Sequence, residues 1–266
     1  MITGLNWAAL DVSILGPAFA AGLLVVVSHV PLGRVVLRRG IIFIDLAVAQ
    51  IAGLGVIAAQ SFGGEHNAWV VQGTAALTAV IGSMGLYALG RKLAHIQEAL
   101  IGVTFALAAT GGILLLAHNP QGGEHLKDLL SGQILWVDWQ QLMPVAIAYL
   151  VLMGLWARLH NHGDGPAFYL VFALTVTISV QLVGVYLVFA SLIVPALAVR
   201  RLGLIPGLLI GWLTGALGYA SGLVASALWD LPSGPLIVWT LAASALLVGA
   251  VLHFYAPASA DQRAGV

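Results

Sequence analysis

Asp45 combines a chemically active side chain with a position inside an apolar stretch, whereas the other Asp and Glu residues fall in predicted loops or at predicted helix ends. A carboxylate at membrane depth costs a few kcal/mol on insertion scales, so it usually faces a cavity or a partner. Two interpretations are therefore open. Asp45 is a cation ligand or gate on a transport path, or it pairs with Arg38 or Arg39 near the lipid headgroups.

Gln50 follows Asp45 on the same predicted helix, but the two side chains do not share a face. At 100° per residue, five residues separate them by about 140°. Polar amides in membrane helices commonly form hydrogen bonds between helices. We therefore predict this role for Gln50, and likewise for Gln181.

Several histidines lie in short polar loops that could handle a metal cation. His66 and His125 each close an identical Gly-Gly-Glu-His stretch, and His160, His162 and Asp164 form a similar cluster further along. Imidazole and carboxylate together suit a borderline metal such as zinc. The first two loops could pass on a cation and the third could be a release site. Alternatively, all three are simply polar loops.

The sequence contains no pattern that predicts catalysis. We find no hydrolase triad, no glycine-rich dinucleotide loop and no phosphate-binding loop of the nucleotide-hydrolysing type. Cys is absent, which excludes disulfides and thiolate metal sites, and the formal net charge is zero, which gives no indication of a nucleic-acid partner. We predict that the chain is not an enzyme and has no nucleotide-binding site of its own.

The elements that must position these residues are membrane-spanning helices. The chain is 61% apolar and only 8% charged, whereas soluble domains carry about 25% charged residues. We predict an all-α, polytopic transmembrane helix bundle that forms one domain over residues 1–266. A span needs about 20 apolar residues, and the predicted spans are 12–30, 41–60, 68–90, 99–117, 140–157, 167–182, 185–199, 204–228 and 235–255.

The number of spans depends on residues 167–199, which are apolar almost throughout and too long for one crossing. Val183 and Gly184 are a plausible break between two short helices, and Pro195 would disturb the second. If a true turn lies there, the chain has nine spans and its N-terminus is outside. Every Lys and Arg except Lys127 then lies on the cytoplasmic side, whereas eight spans would not place these basic residues on one side. The positive-inside rule therefore favours nine. A short interfacial helix is predicted over 124–136.

Three groups of residues lie in order along the chain: 31–39 with 43–45 and 55–56, then 98–103 with 130–135, and finally 182–201, in which a Val-Gly turn leads to Pro-Ala and then to basic residues. Together they resemble the permease subunit of the zinc/manganese/iron ABC importer family. The first group resembles that family's first loop and the start of its second helix, and the third resembles its broken helix. The resemblance implies a transport subunit that forms a single permease domain over residues 1–266.

This resemblance implies a homodimeric or paired permease in the bacterial inner membrane. A periplasmic metal-binding protein would dock outside, and ATP-binding subunits would dock inside and supply the energy. The cargo would be a divalent metal ion, zinc or manganese, with no stably bound cofactor and with ATP on the partner subunit. Val183, Gly184 and Pro195 would then belong to the translocation path, together with Asp45 or Gln50.

Two departures from the family pattern leave an alternative open. The family's second helix carries Asp and His four residues apart. Here Ala49 follows Asp45 at that spacing, whereas an ungapped alignment pairs Leu46 with Gln50. The loop at 158–167, with Arg158, His160, His162 and Asp164 in the place of the ATPase-coupling helix, is also short. The alternative is a permease-derived protein that works without ATP, as a passive or gradient-driven carrier or an assembly partner.

Overall fold

The computed structural model describes residues 7–64, 67–119, 122–159 and 165–255. In these ranges the chain forms ten α-helices and no β-strand. The helices are α1 (Val12–Arg39), α2 (Ile44–Ala59), α3 (Ala68–Lys92), α4 (Gln97–Leu116), α5 (Gly122–Ser131), α6 (Trp139–Leu159), α7 (Pro166–Val183), α8 (Val185–Ala198), α9 (Leu204–Trp229) and α10 (Ser233–Tyr255). The predicted all-α membrane bundle is confirmed.

Eight of the described helices are long and apolar enough to cross a membrane. The remaining predicted span corresponds to α8, a shorter apolar helix of 14 residues. At 1.5 Å per residue it is about 21 Å long, which is less than the hydrocarbon core of about 30 Å. A short helix, α5, is present where the interfacial helix is predicted; it begins at Gly122 and ends at Ser131, earlier than predicted.

The chain reverses direction between α7 and α8. The start of α7 lies beside the end of α1, because the Arg39 guanidinium sits 4.2 Å from the ring centroid of Phe168. The chain just after α8 returns to the same end, where Arg34 Nη2 donates to the carbonyl of Leu202 at 2.8 Å. We call this end of the bundle the basic face. The break predicted at 183–184 is therefore present, and α8 runs back toward the basic face.

Helix α1 is longer than predicted, since it continues through Pro31 to Arg39. The stretch that resembles a family loop, 31–39, is therefore helical, which corrects that expectation. Membrane helices accommodate proline because neighbouring groups satisfy the freed carbonyl. The helix ends only at Gly40, which has φ 69°, and Ile41 N–H then donates to the carbonyl of Val36 at 3.3 Å, as in a Schellman motif.

Small residues allow α9 to pack closely against α1. Gly211 and Gly215 lie one turn apart, and a Cβ on either would come within 2.7 Å of Val30 or 2.6 Å of Val26. On the next turn, Tyr219 places its ring against Gly22. Residue numbers rise along α9 while those of the contacted residues fall along α1, so the two helices are antiparallel. Close approach through small residues is the usual way in which membrane helices associate without a hydrophobic driving force.

Candidate translocation path

A half-enclosed groove of about 720 Å³ lies between α2, α4, α5, α8 and α10. Helix α2 contributes Leu46 and Gln50, which are one turn apart and therefore share a face. Helix α8 contributes the aromatic pair Tyr186 and Phe189. The second half of the broken helix, α8, thus lines the groove together with α2, which contributes Gln50.

Gln50 is almost fully buried, with 5% of its surface exposed. The periodicity argument predicts that Asp45 points away from it, and the structure agrees, because Asp45 is not among the residues that line the groove. Asp45 is completely buried in the first turn of α2. Neither of its carboxyl oxygens has a hydrogen-bond partner among the described residues. Asp45 therefore forms no hydrogen bond with Arg38 or Arg39.

The turn at Gly184 lies at the end of the bundle opposite the basic face, against the segment that follows α5. Gly184 has φ 84° and ψ 162°, a conformation that suits glycine. A Cβ there would lie 2.6 Å from the Cα of Gly132, whose own φ is 71°. Val183 is buried beside this contact, and Pro195 is buried further along α8. The irregular backbone is thus packed against protein, which is the condition for its tolerance at membrane depth.

Helix α5 separates the groove from a second, smaller cavity of about 370 Å³ at the same end of the bundle. Leu126 and Leu130 of α5 face the groove, whereas Asp128 and Leu129 line the smaller cavity. The smaller cavity is richer in polar side chains, namely Gln60, Asp128, Gln133, Thr177 and Gln181. Gln181, expected to bond between helices, is instead exposed at this cavity.

His29 is a buried polar residue that the sequence reasoning did not single out. It lies in α1 with none of its surface exposed. Its Nδ1 lies 2.9 Å from the Val25 carbonyl oxygen and 3.0 Å from the Ser28 hydroxyl oxygen. Its Nε2 has no hydrogen-bond partner among the described residues. The sequence feature that could have identified His29 is its position in the middle of an apolar helix rather than in a loop.

Most of the loop residues singled out as metal or coupling candidates lie outside the described residues. This applies to His66, His160, His162 and Asp164, and for His125 only the backbone, within α5, is described. Arg158 is exposed in the last turn of α6. Within the described ranges, no group of three or more His, Cys, Asp or Glu side chains could hold a metal ion.

Comparison with known proteins places this architecture in a transporter class. The chain is 22% identical, over 246 residues, to the high-affinity zinc uptake system membrane protein ZnuB of Haemophilus influenzae, which covers 85% of this chain and 92% of that protein. A chain of PsaBC from Streptococcus pneumoniae, solved in complex with a Fab, superposes with a TM-score of 0.70 at 18% identity, over 90% of this chain and 94% of that one.

A further solved structure shares the fold. It is an inward-facing transporter described as of the metal-chelate ABC type, with a TM-score of 0.66 at 19% identity, over 90% of this chain and 85% of that one. At these identities the two superpositions establish the fold alone. The family model of the ABC 3 transport family matches residues 11–161 and 166–253, which is most of the sequence. The chain therefore belongs to the ABC 3 transport family.

Proposed function

We propose that this chain is the permease subunit of an ABC importer for a divalent metal, with zinc as the first candidate. The observation that carries the proposal is the family match over both parts of the chain, 11–161 and 166–253, combined with a groove bordered by the broken helix. The zinc assignment is supported by the similarity to the membrane protein of the Haemophilus zinc uptake system. The apolar helices and the family membership make it a multi-pass protein of the bacterial inner membrane.

Within this proposal, the chain supplies the translocation path and a separate ATP-binding subunit supplies the energy. The ATPase would dock at the basic face, where α6 ends near Arg158 and the 158–167 connection begins. A periplasmic metal-binding protein would dock at the opposite face, where α5 lies. A second copy of the chain would cover the groove, because Tyr186 and Trp239 are 53% and 75% exposed along it.

The residues that we assign to the path are Gln50 and the two halves of the broken helix. Gln50 lines the same groove as Tyr186 and Phe189, so a solute in the groove can contact both α2 and α8. Val183 and Gly184 set the direction of α8, and Pro195 lies buried within it. This assignment makes α8 the element whose movement would open or close the groove.

An ATP-independent carrier is not favoured. The short 158–167 connection motivated it, but the family model resumes directly after that connection, at residue 166, and continues to residue 253. The membrane protein of a zinc uptake system also aligns along most of both chains. A short connection within an otherwise continuous match is more simply explained as a compact ATPase contact.

The test combines co-purification with metal accumulation. The tagged chain should retain an ATPase encoded by the same organism through detergent purification. Deletion of the chain should reduce ⁶⁵Zn accumulation in cells that lack other zinc importers, and re-expression should restore it. A chain that retains no ATPase, and whose deletion leaves zinc, manganese and iron accumulation unchanged, would contradict the proposal.

A further inference from the structure

None of the described residues that line the groove carries a charge. The lining side chains that can form hydrogen bonds are the Gln50 amide, the Tyr186 hydroxyl and the Trp239 indole, and the others are apolar. Asp45 lies elsewhere, and His29 is on α1, which does not contribute to this groove. The surroundings of a solute in the groove are therefore neutral and largely hydrocarbon.

A bare divalent cation is poorly matched to such surroundings. Zinc and manganese bind imidazole, thiolate or carboxylate groups, which replace the water that the ion loses. Leu46 occupies the position one turn before Gln50 where a second ligand would share the groove face. A dication surrounded by apolar side chains without such ligands would carry a large desolvation cost.

The size and lining of the groove match a different kind of solute. Small-molecule sites have volumes of about 300–1,000 Å³, are mainly apolar and aromatic, and contain few polar groups. The groove, at about 720 Å³, has four aromatic rings, from Phe105, Tyr186, Phe189 and Trp239, and one nearly buried amide. Aromatic faces provide contact area for flat organic ligands, and an amide can both donate and accept a hydrogen bond.

We propose that the groove carries the metal as a charge-neutral complex with a small organic chelator, which brings its own ligands, rather than as a bare ion. This inference rests on the proposed function and specifies the form of its cargo. The chelator satisfies the metal's coordination and presents an apolar or aromatic exterior to α8 and α10. Gln50 then recognises the complex through a neutral hydrogen bond.

The test changes the charge of the side chain at position 50. Gln50→Glu introduces an acid where a neutral complex would pass, whereas Gln50→Met keeps a neutral side chain of similar size. We measure ATP-dependent ⁶⁵Zn accumulation in complete medium, which contains amino acids and other chelators, and we normalise it to folded protein in the membrane. For a neutral cargo, Gln50→Met lowers accumulation about three- to fivefold through one lost hydrogen bond, and Gln50→Glu lowers it more than about tenfold.

A bare cation gives the opposite order. A carboxylate in the path would then bind the ion, so the Glu variant would transport as well as or better than wild type, and the Met variant would be the weaker one. That result would overturn the inference while the proposed function stands. Absence of ATP-dependent accumulation in the wild type would instead be the failure of the proposed function.

A second pair of variants keeps the test informative if the Glu variant does not fold. Trp239 lines the groove and is 75% exposed, whereas Trp69, on α3, is 85% exposed and lies away from it. If the complex contacts the aromatic side chains of the groove, Trp239→Ala lowers zinc accumulation by about fivefold or more. Trp69→Ala does not lower it to this extent. Equal accumulation by the two variants would count against an organic cargo in the groove.

Discussion

Gly132 and Gly184 meet backbone to backbone, and each has a positive φ angle, 71° and 84° respectively. The contact joins the segment after α5 to the point at which the broken helix reverses. Because α5 also separates the groove from the smaller polar cavity, a displacement of α5 would be transmitted directly to the start of α8. The position of α5 is therefore coupled to the groove through the contact between Gly132 and Gly184.

Substitution of Gly184 by Val tests this contact. A β-branched residue at φ 84° is strained, and its Cβ would lie 2.6 Å from the Cα of Gly132. We expect a loss of more than about 2 kcal/mol in stability, since a non-glycine residue in this positive-φ, extended conformation alone costs about 1–3 kcal/mol. The measurement is the thermal unfolding midpoint and folded yield in detergent, together with ⁶⁵Zn accumulation.

Gly249→Val is the matched control for that experiment. Gly249 lies within α10 and has no heavy atom within 4 Å of an added Cβ, so the substitution should be tolerated. If the Gly184 and Gly249 variants unfold at the same temperature, the Gly132 and Gly184 contact does not determine the position of α8.

The hydroxyl groups of Tyr219 and Ser191 form a buried hydrogen bond of 2.8 Å between α9 and α8. Both side chains are fully buried. We expect Tyr219→Phe to destabilise the protein by about 0.5–1.5 kcal/mol, while the aromatic packing against Gly22 is retained. A double-mutant cycle with Ser191→Ala should give a coupling energy of roughly 1 kcal/mol. Additive effects of the two substitutions would show that the hydroxyl pair does not link the helices.

The buried carboxyl group of Asp45 has no hydrogen-bond partner among the described residues. Replacement by Leu, which is similar in length and apolar, removes the cost of burying an unpaired polar group, about 1–3 kcal/mol. We therefore expect Asp45→Leu to raise the unfolding temperature in detergent. A marked decrease would indicate a stabilising ion pair after all, as the sequence alone allowed.

Arg34 donates to the carbonyl oxygens of Leu202 and Gly203, at 2.8 and 3.1 Å, and so connects α1 to the turn between α8 and α9. We expect Arg34→Met to lower stability by about 1–3 kcal/mol, because hydrogen bonds from a charged donor are stronger than neutral ones. Arg38→Met removes an exposed charge from the same helix and serves as the control. Equal unfolding temperatures for the two variants would contradict a role for Arg34 in this turn.

Much of the fold was predictable because it depends on apolar length and charge asymmetry. The break at Gly184 was visible as a glycine within an apolar stretch too long for one span. The continuation of α1 through Pro31 was not, because proline normally ends a helix and only the surrounding helices make it tolerable here. The sidedness of the basic residues stays a prediction from the positive-inside rule.

The candidate site was less predictable, since α2 is apolar around most of its circumference. Helical periodicity correctly separated Asp45 from Gln50 onto different faces. It did not indicate which face borders the groove, because no polar stripe distinguishes them. The groove depends on how α8 folds back beside α2, a contact between distant parts of the sequence that local pattern does not encode.

The central claim is that this chain forms the path of an ATP-driven metal importer. The most direct measurement is ⁶⁵Zn entry into proteoliposomes that contain the permease with its co-purified ATPase and binding protein, zinc being supplied in medium that contains chelators. The account predicts entry that requires ATP and is reduced by the Gln50→Glu substitution. Entry at the same rate without ATP, or no entry of zinc, manganese or iron with ATP, would contradict it.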